Sequence, residues 1–201
     1  MFPFRLPGRP ARNSTDSALR YTHPRRQDDD ATTFPRATPE GWLTGSTPPQ
    51  PGRGVGALAA KLARELPVTQ HLGIRVEQWD ADGLLLSAPL AANVNHQGTA
   101  FAGSVNALAT LAGWGSLWLI LREEEVEASL VLQDSSIRFL HPISRDLRAR
   151  APRPAPAAVR HLVESLRRHG KGRLSLDIEI TDGGDVLATF RGRYVALRNG
   201  G

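Results

Sequence analysis

Asn93-Val94-Asn95-His96-Gln97-Gly98-Thr99-Ala100-Phe101-Ala102-Gly103-Ser104 is a polar loop, rich in small residues, that runs into an apolar segment. From Gly98 to Leu121 no side chain is ionisable. The pattern predicts a long buried helix over residues 100–121 that opens at the loop. The N-terminus of a helix presents unpaired N–H groups and partial positive charge, which suits an anion or a developing oxyanion. Gly98, Ala102 and Gly103 let a ligand approach that backbone closely. The same small residues also serve tight helix–sheet packing, and both readings stand for a motif this short.

An uncharged run of this length is long enough to span a bilayer. Its N-terminal half nevertheless carries Thr99, Ser104, Asn106 and Thr110, and no basic cluster marks either end. Strand signatures surround it, so the better reading is a helix apolar on all faces because a curved sheet wraps it. Upstream, Leu58, Leu62 and Leu66 recur at helical spacing until Pro67 stops them. Residues 71–79 read as a strand, 80–83 as a turn and 84–90 as a second strand. Downstream come strands at 129–140, ending in His141-Pro142, and at 146–151. A short helix follows at 157–169, closed by Gly170. Leu174, Leu176, Ile178 and Ile180 then alternate with Ser175, Asp177 and Glu179, which marks a half-buried strand. Asp182-Gly183-Gly184 is a turn before a last strand at 186–197. The element order predicts an α+β domain over residues 55–201.

Residues 1–54 have a different composition. They hold nine of the 15 prolines, eight of the 25 basic side chains and five of the 20 acidic ones. With no sustained apolar period they are expected to be disordered. The opening residues lack the apolar run of a signal peptide, and Asp28-Asp29-Asp30 argues against a transit peptide. The chain has no cysteine, hence no disulfide framework and no thiolate chemistry. These features point to a cytoplasmic protein. Beyond residue 54 the balance is 17 basic against 15 acidic side chains, a net +2. Net charge therefore gives no case for a nucleic-acid partner.

Two stretches carry a resemblance. Asn95, Gly98, Thr99, Gly103 and Ser104 match the loop-to-helix motif of hotdog thioesterases. Asp134-Ser135-Ser136-Ile137-Arg138-Phe139-Leu140-His141-Pro142 is similar to the strand that follows the central helix in those proteins. Gly113-Trp114-Gly115 and Gly170-Lys171-Gly172-Arg173 resemble a narrower group, the YiiD C-terminal type of thioesterase, which also occurs fused behind GNAT acetyltransferases. The resemblance implies a hotdog fold, a curved antiparallel sheet wrapped around a long central helix. It implies substrates that are acyl thioesters of coenzyme A or acyl carrier protein. It further implies a homodimer, or a dimer of dimers, with sites between protomers, and it brings no cofactor. The spacing of His96 and His141 shows no metal-ligand pattern, so no metal is expected.

The departures from the family pattern bear on mechanism. Where related thioesterases have His-Gly-Gly, this chain has Phe101-Ala102-Gly103, and Thr110 stands where they place a carboxylate. Hydrolysis needs an activated water or a nucleophile. Asp134 is the nearest replacement by motif position, and His96 is a candidate acid, base or donor. Asn95 is expected to polarise the thioester carbonyl, helped by backbone N–H groups near Ala102 and Gly103. Decarboxylation of a malonyl thioester asks less, because its enolate needs only oxyanion donors and a poorly hydrated place for the carboxylate. Phe101 and Trp114 are candidates to line that place. The expected substrate-binding set is Gly98, Thr99, Phe101, Ala102, Gly103, Ser104, Thr110 and Trp114. Three functions stay open: a thioesterase or malonyl-acyl-carrier-protein decarboxylase, a non-catalytic acyl-CoA-binding module, and a membrane-anchored protein. Arg160, Arg167, Arg168 and Lys171 are expected to be exposed, as a solvated face or a docking site for a carrier protein or coenzyme A phosphates.

Overall fold

Val55, Leu58 and Leu62 bury one face of helix α1 (Val55–Glu65), which leads into the computed structural model of the protein. The structure describes residues 54–182 and 184–198. The disorder expected over residues 1–53 and the middle of the Asp182–Gly184 turn lie outside the described residues. After Pro67 the chain makes one more helical turn, α2 (Val68–His71), where the expected strand should have begun. The Thr69 hydroxyl donates to the Leu66 carbonyl at 2.8 Å, which holds that turn and delays the strand. Strands β1 (Arg75–Asp80) and β2 (Gly83–Ala88) then form a hairpin. A short 3-10 turn (Leu90–Ala92) precedes the entrance loop, and α3 (Ala102–Glu123) follows it. The remaining elements are β3 (Ala128–Phe139), β4 (Leu147–Pro152), α4 (Pro156–His169), β5 (Lys171–Thr181) and β6 (Val186–Arg198).

All six strands join one antiparallel sheet in the order β1-β2-β4-β5-β6-β3. The period-two patterns decide which face is inside. In β4, Leu147, Ala149 and Ala151 are buried while Arg148 and Arg150 are not. In β5, Leu176, Ile178 and Ile180 point inward with Ser175, Asp177 and Glu179 exposed. These inner rows meet Leu108, Leu117 and Leu119 of α3 in one core with Leu84, Leu86, Phe190 and Tyr194. Each such leucine contributes about 1.5–3 kcal/mol by leaving water. Helix α3 is long and apolar enough to cross a membrane, but it is the axis of this core and the sheet takes up its apolar side chains. This is the expected hotdog arrangement.

One close approach fixes how deep the helix sits. Tyr194 of β6 is fully buried and donates its hydroxyl to the Thr110 carbonyl at 2.9 Å. A β-carbon on Gly113 would collide with that phenol, so only glycine lets helix and sheet meet there. Strand β3 stands at the sheet edge. Its register shifts between Leu132 and Asp134, and the extra residue reverses the alternation. Leu130 and Leu132 pack toward the core before the bulge, and Ile137 does so after it.

Candidate active site at the helix entrance

The entrance loop is tied to the fold from both sides. Asn93 is 2% exposed, and its carboxamide donates to the Leu72 and Pro89 carbonyls at 2.9 and 2.7 Å. The Asn93 carbonyl accepts from the Phe101 N–H at 2.7 Å, and Ala100 N–H donates to Ile143 O at 2.8 Å. Within this frame Asn95 closes the loop on itself. Its Nδ2 donates to Thr99 Oγ1 at 3.0 Å and to Ala100 O at 3.2 Å. Its Oδ1 accepts from the Gln97 and Thr99 N–H groups at 2.8 and 3.2 Å. Gly98 supplies the turn, with φ +79° and its N–H on the Asn95 carbonyl at 3.1 Å. Both carboxamide N–H groups of Asn95 are thus engaged inside the loop in this structure.

The donors left over belong to the backbone. No side chain caps the 22-residue helix α3. Val105 N–H is the first in the helix to find a carbonyl, that of Phe101 at 3.1 Å, so the N–H groups of Ala102, Gly103 and Ser104 have no partner among the described residues. Ala102 and Gly103 are exposed and Ser104 is buried. Three unpaired N–H groups at the positive end of a long buried helix are suited to a carbonyl oxygen that gains charge.

A cleft of about 360 Å³ adjoins this end. Asn95, Gln97 and Thr99 of the loop, Ala102 and Val105 of α3, and residues 139–143 line it. Of the expected set, Asn95, Thr99 and Ala102 therefore come together at one cleft, with Gly98, Gly103 and Ser104 beside them in sequence. Five others stand apart. Phe101 is 56% exposed, and its ring lies over Gly103 outside the cleft. His96 is exposed on the loop and does not line the cleft. Trp114 is three turns up the helix, half-buried, with Nε1 donating to the Leu130 carbonyl at 3.2 Å and Lys61 Nζ 5.9 Å from its ring. Thr110 is half-buried one turn below it. Asp134 is turned away by the bulge. It pairs across the sheet with Arg193 at 3.4 Å, on the face opposite Leu132 and Ile137, and is exposed. Without the extra residue at Gln133 it would face the helix.

The cleft also holds a residue that the sequence reading left without a role. His141, exposed at the corner between β3 and β4, is the one ionisable side chain among the residues that line it. In the sequence it is only the residue before Pro142 at a strand end. Its nearness to the helix entrance comes from the β3–β4 connection, whose Ile143 carbonyl accepts the Ala100 N–H.

Three larger clefts lie at the other end of α3. One, about 900 Å³, runs beside Trp79 and Arg153. There Arg153 donates to both Glu123 oxygens at 2.8 and 2.9 Å and stacks 4.0 Å from the Trp79 ring, and Trp79 Nε1 also donates to Glu123 at 2.7 Å. The Arg153 guanidinium holds the Glu123 carboxyl below its usual range. These groups satisfy one another and fasten the end of the helix. Another, about 570 Å³, lies beside Lys61 and Trp118, and a third, about 460 Å³, lies between Ile120 and Arg160.

Comparison with known proteins agrees with the fold. The family described as "Putative thioesterase (yiiD_Cterm)" matches residues 55–198. A Shewanella oneidensis protein described as a "putative thioesterase" is similar at 30% identity and a TM-score of 0.66, over 72% of this chain and 97% of that one. A protein of unknown function from Chlorobaculum tepidum is similar at 28% identity and a TM-score of 0.70, over 72% and 94%. A "probable thioesterase" from Pseudomonas aeruginosa is similar at 27% identity and a TM-score of 0.62, over 72% and 96%. A six-stranded sheet around one buried helix and a family match over residues 55–198 place this chain in the YiiD C-terminal thioesterase family.

Proposed function

We propose that the protein hydrolyses acyl thioesters of coenzyme A or acyl carrier protein at the entrance of α3. The observation that carries this reading is the set of unpaired N–H groups at Ala102, Gly103 and Ser104 beside a cleft. A thioester carbonyl laid there meets its strongest donors only when its oxygen becomes negative, which is the condition for catalysis rather than mere binding. Gly98 and Thr99 hold the loop, and Phe101 shields one side of the entrance.

A second reading has its own support. No carboxylate is among the residues that line the cleft, and Thr110 stands where the family resemblance implies one. Decarboxylation of a malonyl thioester needs the oxyanion donors but no activated water. Incubating the protein with malonyl- and acyl-thioesters and weighing the products separates the two. Free thiol means hydrolysis, and a loss equal to carbon dioxide means decarboxylation. Neither change would leave an acyl-thioester-binding module.

The working unit in this reading is a cytoplasmic homodimer. Strand β3 offers a 12-residue edge on which Val131 and Phe139 are 46% and 49% exposed, with Leu140 just beyond it at 44%. A long edge with apolar side chains is a template for pairing with another strand. The outer face of the sheet, by contrast, pairs Asp177 with Arg191 and Asp134 with Arg193, and such a charged surface favours water over a second layer.

A further inference from the structure

We infer that His141 is the proton-transfer group of the thioester reaction. The inference rests on the reading of the α3 entrance as the thioester site and adds a residue to it. Oxyanion donors alone cannot complete either reaction, because each needs a proton moved at a defined moment. Within the cleft the choice is narrow. The loop supplies Asn95, Gln97 and Thr99, the helix supplies Ala102 and Val105, and the β3–β4 corner supplies His141 among apolar neighbours. The backbone of His141 is anchored, with its N–H on the Leu187 carbonyl at 3.1 Å, while its ring makes no hydrogen bond to any described residue. A fixed backbone with an uncommitted imidazole is what an incoming water or carbanion requires.

The charged groups near the corner are otherwise placed. Arg138 follows Asp134 onto the outer face of β3, and Asp146 accepts the Leu90 N–H at 2.9 Å. His96, Arg145 and Asp185 are exposed and do not line the cleft. None of them faces the imidazole from within the cleft.

In hydrolysis, neutral His141 takes a proton from water as the water oxygen bonds to the thioester carbon. The carbonyl electron pair moves to the oxygen, held by the Ala102 and Gly103 N–H groups. When that pair returns, the C–S bond breaks and the thiolate takes the proton from the imidazolium. The ring ends as it began. In decarboxylation, the bond between the α-carbon and the carboxylate breaks, carbon dioxide leaves, and its electron pair forms the enolate. Protonated His141 then gives its proton to the α-carbon and recovers one from solvent. The two reactions need opposite forms of the ring, so the pH dependence has opposite signs. Hydrolysis rises with pH as the imidazole loses its proton, and decarboxylation falls.

The test measures kcat/KM against pH for the full chain on malonyl-CoA and on a medium-chain acyl-CoA, alongside an NMR titration of the His141 ring. In native protein the limb of the rate profile follows the ring titration. His141→Gln, at an exposed position, keeps the melting temperature, loses about a hundredfold or more in rate and loses that limb. Added imidazole restores part of the rate in His141→Gly. A native protein without activity on any thioester would remove the inference together with the reading beneath it. An active protein whose rate and limb survive in His141→Gln would remove His141 alone.

Discussion

Asn95 joins two strands of argument at one residue, since loop closure and carbonyl activation both use a carboxamide. Its four side-chain hydrogen bonds within the loop favour closure. Asn95→Ala is therefore expected to lower stability by about 1–2 kcal/mol. Asn95→Asp keeps the two acceptor bonds but sets a carboxylate oxygen against the Ala100 carbonyl, so it too should lose stability. Chemical denaturation beside kcat per folded molecule checks this. Full stability with a rate loss of a hundredfold or more would restore Asn95 as a direct oxyanion donor. Tyr194 gives a second prediction. Burial pushes its phenol well above the usual range. Below about pH 10 the phenol keeps its proton in both folded and unfolded chains. Above that pH the unfolded chain releases the proton and the folded one does not, so stability falls as pH rises. A denaturation series up to strongly alkaline pH should show this loss, and Tyr194→Phe should remove it at a cost of about 1 kcal/mol at neutral pH. Gly113→Ala should cost about 1–3 kcal/mol, because the added methyl meets the same buried ring.

At the scale of elements, helix α3 ends under strain. Val126 N–H returns to the Leu121 carbonyl at 2.8 Å and Glu125 N–H to Arg122 O at 3.2 Å, the paired bonds of a Schellman motif. The position that motif reserves for glycine holds Glu125 at φ +54°. A left-handed conformation costs a side-chain-bearing residue roughly 1–2 kcal/mol, and three glutamates in a row oppose the negative end of the helix. Glu125→Gly should raise stability by about 1 kcal/mol in thermal or chemical denaturation, and a loss would show that Glu125 has a partner role. Helix α4 bears on docking. Arg160, Arg167, Arg168 and Lys171 are exposed as expected, but α4 borders Ile120, Glu123 and Glu124 at the far end of α3. That end is roughly 30 Å of helix from the entrance of the same protomer, which favours a solvated face. The elements themselves were legible because their signals are local. Alternation from Leu174 to Ile180 gave β5, and Gly170 gave the end of α4. The strand expected from residue 71 failed because a Thr69 hydroxyl bond prolongs the helical turn. The orientation of Asp134 was not legible, since it depends on a bulge set by pairing with Arg193, a residue 59 positions on by numbering.

For the molecule as a whole, the family and the fold could be read from the loop and the apolar run after it. The identity of the cleft residues could not, because His141 reaches the entrance through the β3–β4 connection, which no local pattern announces. A particle of twice the chain mass is expected by light scattering, through the open edge of β3. A monomer with full activity would contradict the dimer. The central claim, that backbone N–H groups at the start of α3 hold the oxyanion, is open to a direct test at Ala102. Proline is favoured at the first position of a helix, and the extended Phe101, with φ −66° and ψ 127°, tolerates proline after it. Ala102→Pro thus deletes one donor while leaving the helix intact. Measured as kcat per folded molecule on the native protein's thioester substrate, the account predicts a fall of about a hundredfold or more with the melting temperature within a few degrees of native. A folded Ala102→Pro protein with native kcat would contradict it.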